Sequence, residues 1–140
     1  MRKHAVNMQA RLAQVHWALI LRMSVLVYLL TFILGLGVSL LLPTVFNWLR
    51  LDPQSAVQAG VLMTALVVLV VTGYGAWRVA RTVDHAAPLQ GFLVGLVVAL
   101  LSFVLDVVFT RRIDPRGLVL YALMIAAGWL GGRLGSRSGS

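Results

Sequence analysis

The sequence has no cysteine and only four acidic residues, Asp52, Asp84, Asp106 and Asp114. Without thiols, disulfides, thiolate metal sites and cysteine nucleophiles are all excluded. Histidine is nearly as scarce. His4 and His16 lie in a basic N-terminal segment, and His85 follows Asp84 in a short loop. None has a second ligand at metal spacing, and neighbouring side chains such as Asp84 and His85 diverge on an ordinary helix or strand. No metal or other cofactor is expected. Nor is enzymatic activity, because a membrane enzyme clusters polar catalytic groups near one interface and this chain has too few to cluster.

Charge as a whole is sparse. Only 11% of the 140 residues are charged and 60% are hydrophobic, with a mean hydropathy of +0.92. Soluble domains carry about 25% charged residues, so most of this chain lacks the polar surface that water requires. The bilayer is its expected solvent. The net charge of +8 suggests nucleic acid at first sight, but the basic residues sit at the ends of apolar runs and form no basic face. Their position suits anionic lipid headgroups instead.

What the chain has is long apolar runs. Residues 23–42 carry no charge and are followed by Pro43, residues 56–77 precede Arg78, and residues 88–109 are interrupted only by Asp106. A fourth run, 117–134, is uncharged only between Arg116 and Arg133. That is about a turn short of the ~20 residues a span needs, and snorkelling arginine stems make up the difference. The first run is too long for the apolar region of a signal peptide, and no convincing cleavage site follows Pro43, so it is read as a retained helix. The expected fold is an all-α membrane protein, a bundle of four transmembrane helices, with residues 135–140 as a polar tail.

Lysine and arginine counts orient the chain. Arg2, Lys3, Arg11, Arg22, Arg78, Arg81, Arg133 and Arg137 flank the runs on the N-terminal side; Arg50, Arg111, Arg112 and Arg116 lie on the other. Eight against four predicts a multi-pass protein of the bacterial inner membrane with both termini cytoplasmic. Arg2, Lys3, Arg11, Arg78, Arg81 and Arg133 are the expected headgroup contacts. Within residues 1–22, Met8, Leu12, Val15 and Leu19 recur at helical spacing. The segment fits a basic amphipathic helix lying in the interface, and equally a basic tail that only sets topology. Trp17, Trp48, Trp77 and Trp129 fall near the ends of the runs, as an aromatic belt requires.

Two turns resemble each other: Arg50-Leu51-Asp52-Pro53-Gln54 and Arg112-Ile113-Asp114-Pro115-Arg116. The spans they open both end in glycines, a tryptophan and two arginines. Duplication of a helical hairpin explains this, with a pseudo-twofold along the membrane normal. So does convergence, since Asp-Pro is a common helix start.

In the third run Gly91, Gly95, Ala99, Ser102 and Asp106 share one helical face. The fourth carries Gly128-x-x-x-Gly132 and Gly131-x-x-x-Gly135, and the first has Gly35 and Gly37. Small residues in such rows let helices approach closely, either inside the bundle or against another subunit. Asp106 is the only acid inside a run and so is a candidate intramembrane polar site. It lies near the far end, where Arg111 and Arg112 could neutralise it.

Three function classes follow. A structural or accessory subunit, packing through glycine-rich faces against itself or a larger membrane complex, needs only what the chain has. A small-solute or ion transporter would act as a homo-oligomer with Asp106 in the path, but the hydroxyls available to line it are few. An enzyme is the least expected. The stretch Gly73-Tyr74-Gly75-Ala76-Trp77-Arg78-Val79-Ala80-Arg81, followed by Gln90-Gly91-Phe92-Leu93-Val94-Gly95, resembles small four-span bacterial inner-membrane proteins of the YrzE-like kind. The resemblance covers the second and third spans and implies a four-helix membrane fold, with no activity and no functional residues to carry over.

Overall fold

A computed structural model describes residues 16–50, 52–83, 87–111 and 115–137. Among the described residues there are four helices: α1 (Trp17–Leu49), α2 (Pro53–Thr82), α3 (Ala87–Thr110) and α4 (Pro115–Arg137). Each is long and apolar enough to cross a membrane, and there is no strand among the described residues. A chain surrounded by hydrocarbon must satisfy its backbone polar groups internally, which leaves the helix as the available form. The protein is an all-α four-helix bundle of the multi-pass membrane type. The segment 1–15, with Arg2, Lys3 and Arg11, lies outside the described residues.

Helix ends follow local chemistry. Asp52 caps α2 by accepting the Ser55 N–H at 3.0 Å, and Pro53 occupies the first turn, where its missing N–H costs nothing. α1 stops at Arg50 and α3 at Arg111, and both arginines adopt a left-handed backbone with φ of 52°. Such a residue turns the chain out of a helix. Pro115 then opens α4 as Pro53 opens α2.

All four helices run beyond their uncharged runs. Pro43 lies inside α1, which continues through it to Leu49. A proline in a lipid-facing helix is tolerated where the helix remains the best way to satisfy neighbouring backbone groups. As a result Trp17 and Trp48 stand about 46 Å apart along α1, close to the ~40–45 Å thickness of a bilayer with its interfaces. α4 takes in both flanking arginines, 116 and 133, and reaches about 35 Å.

The hairpins α1–α2 and α3–α4 are antiparallel pairs. Val27 of α1 meets Gly75 of α2, and Gly91 of α3 meets Gly132 of α4. Trp17, Thr82, Ala87 and Arg137 therefore share one end of the bundle, here called the terminal end. The α1–α2 and α3–α4 turns share the other, the distal end. α2 and α3 touch each other, α4 packs against both on one side and α1 on the other, while α1 and α4 do not meet. An exact two-fold between hairpins would require α1 to meet α4 as α2 meets α3, so the likeness between the hairpins is local.

Burial is uneven along the bundle axis. Among the described residues, nothing distal to Val27, Val68, Ala99 and Met124 is buried. The core is made of Ile20, Val27, Val68, Ala76, Val79, Val94, Val98, Ala99 and Met124. The terminal half is close-packed and the distal half splays.

Candidate functional site

The close packing has a specific cause in α4. Gly128 and Gly132 face α3, where Gly128 meets the backbone of Gly91 and Gly95, and Gly132 meets Ala87, Pro88 and Gly91. Gly131 and Gly135 face α2, against the Gly73 carbonyl, Ala76, the Trp77 carbonyl and Ala80. The two overlapping glycine pairs thus serve two different neighbours, and a Cβ at any of the four would collide with backbone or a methyl group. Ala99 is buried further along the α3 face, and Ser102 is half-buried. Gly35 and Gly37 of α1 differ, with no atom within 4 Å of where a Cβ would stand.

Arginines mark the terminal end. Arg81 stacks 4.9 Å from the centre of the Trp77 ring and Arg133 stacks 5.2 Å from that of Trp129. The same one-turn spacing recurs on α2 and α4 and joins a cation to an aromatic face at interfacial depth. Arg78 is exposed at the same end.

At the distal end Asp106 of α3 is exposed and accepts a hydrogen bond from the Tyr121 hydroxyl of α4. Phe103 meets the same tyrosine edge-on at 5.9 Å between ring centres. Tyr121 is a partner that the spacing of charges could not reveal. The pair ties α3 to α4 distal to their buried residues.

Polar side chains also lie deep in the terminal half. Ser24 of α1, Thr72 of α2 and Gln90 of α3 are all fully buried. Thr31 satisfies its hydroxyl locally by donating to the Val27 carbonyl at 2.8 Å. No group of three histidine or acidic residues that could hold a metal occurs among the described residues. His16 is exposed at the start of α1.

A cleft of about 1020 Å3 opens in the distal half between α1, α2 and α4. Its walls are mostly apolar, with Ser39, Asn47 and Thr64 as uncharged polar groups and Arg116 as the one charge among the described residues that line it. Asp106 is not on its wall. No sequence signal announces this cleft, because it arises from the splay and from no motif. No family model matches the chain, and neither a curated protein nor a solved structure matches it.

Proposed function

We propose that the protein is a structural or accessory subunit of the bacterial inner membrane, with both termini cytoplasmic, that packs against a larger membrane complex or a second copy of itself. The observation that carries this reading is the contrast between glycines. Gly73, Gly91, Gly95, Gly128, Gly131, Gly132 and Gly135 are spent on contacts among α2, α3 and α4, and Gly75 on Val27 of α1, whereas Gly35 and Gly37 lie open on α1. Helix α1 is the least buried of the four and presents Phe32, Ile33 and Leu36 outward around those glycines. The surface available to a partner is therefore α1, and the stripes of α3 and α4 are already occupied. The reading assigns no catalytic role, and the likeness to YrzE-like proteins over α2 and α3 is compatible with it.

Purification in mild detergent tests the assignment. A stoichiometric membrane partner or a defined homo-oligomer is expected, and Gly35→Leu with Gly37→Leu should release it while the monomer stays folded. A chain that is monomeric and alone at every detergent condition overturns it.

A second reading, passage of a small solute or ion through a homo-oligomer, draws support from the buried Ser24, Thr72 and Gln90. It places Asp106 in the path. Proteoliposome flux that falls on Asp106→Asn supports it; no flux, or flux indifferent to that change, removes it.

A further inference from the structure

We propose that the distal cleft binds an uncharged apolar molecule carrying a hydroxyl, which donates to the backbone carbonyl of Ser39. The proline of α1 is the first argument. In a regular helix the N–H of residue 43 would bond the carbonyl of residue 39, but Pro43 has no N–H to give. Ser39 and Pro43 both stand on the cleft wall, so the carbonyl left over belongs to that wall. A backbone acceptor bared within hydrocarbon is costly, and a donor in the cleft removes the cost.

Thr64 adds a second polar group at the same depth. Val27 lies against Gly75 and Leu42 against Gly60, so α1 and α2 keep one register and Thr64 falls level with Ser39. Its hydroxyl, also on the wall, can accept from or donate to the same ligand.

Depth and size define the ligand. Thr64 stands about 16 Å along α2 from Pro53, whereas the headgroup layer on each side of the hydrocarbon is only about 5–7 Å thick. A charged head is too costly to bury at that depth, while a hydroxyl is tolerated once it is bonded. Around it Leu42, Val61, Ala65, Leu120 and Leu123 are apolar. At about 1020 Å3 the cleft has the size of small-molecule sites, roughly 300–1,000 Å3, which set a few polar groups in mostly apolar walls. Its α2 wall, Pro53 to Ala65, runs about 18 Å, short of the ~30 Å that a partner's transmembrane helix would need.

Native mass spectrometry of the full chain in detergent, offered para-nonylphenol or its methyl ether para-nonylanisole, provides the test. The two probes share an apolar body and differ in the hydroxyl donor. The phenol should be retained about five-fold more, the equivalent of ~1 kcal/mol for one hydrogen bond. Pro43→Ala returns an N–H to the Ser39 carbonyl and should bring that ratio close to one, with retention of the ether unchanged. Ala56→Trp, which fills the cleft, should lower retention of both probes, with helicity checked by circular dichroism. Equal retention of phenol and ether overturns the proposal, as does a ratio unchanged in Pro43→Ala or retention indifferent to Ala56→Trp. A second copy of the chain seated in the cleft and displaced by neither probe overturns it too. None of these readouts depends on the protein having a protein partner.

Discussion

Gly131 of α4 rests against the backbone carbonyl of Gly73 on α2, and no side chain fits between them. Gly131→Leu should therefore push α4 away from α2. Overpacking of this kind costs about 1–3 kcal/mol, and it should lower the thermal midpoint in detergent and open the terminal half to protease. Gly37→Ala, inside α1 at a position with open space, should instead stabilise the helix, by about 0.5–1 kcal/mol.

The bond from Tyr121 to Asp106 joins α3 to α4 beside the Phe103–Tyr121 ring contact. Tyr121→Phe and Asp106→Asn should each cost about 0.5–1.5 kcal/mol, close to the ~0.6 kcal/mol average for hydrogen bonds between membrane helices. A double-mutant cycle read by unfolding in detergent should show that the two losses do not add. Additive losses would mean that the pair contributes no coupling.

Because the chain has no native cysteine, engineered thiols report sidedness without background. Gln54→Cys, at the start of α2, should react with an impermeant maleimide added outside spheroplasts. Thr82→Cys and Arg137→Cys should react only after permeabilisation. The reverse pattern would invert the topology drawn from the arginine count.

Asp52 has its carboxyl held below the usual aspartate range, chiefly by the hydrogen bonds from Ser55. A native value lower than the unfolded one means that the capping contribution is complete above the ordinary aspartate range. It is lost as pH falls through the lowered native value. Protection of the Ser55 amide in hydrogen exchange should follow that course, and Asp52→Ala should abolish it at every pH.

Arg50 and Arg111 end their helices in a backbone conformation that costs an L-residue roughly 1 kcal/mol and glycine almost nothing. Arg111→Gly should raise the unfolding midpoint in detergent unless the guanidinium contributes more than the backbone loses. A fall in the midpoint would identify that side chain as a net stabiliser of the α3 end.

Much of the architecture was legible in the residues. Apolar runs marked the four spans, and Asp52-Pro53 marked the start of α2, because hydrocarbon thickness and capping act locally. Pro43 misleads as a stop signal, since its cost inside a membrane helix is smaller than that of leaving backbone groups bare to lipid. The overlapping pairs 128/132 and 131/135 were visible as small-residue spacings, but which neighbour each would meet depends on how three helices nest. Tyr121 carried no mark at all. Its role comes from lying across from Asp106, fifteen residues earlier in the chain, and that follows from the packing of α3 on α4. The cleft is likewise a product of assembly.

The uneven burial along the axis has a mechanical side. Side chains of the distal half have fewer protein neighbours holding them than those of the terminal half. Local opening should therefore begin at the distal turns and leave the glycine-packed end to yield last.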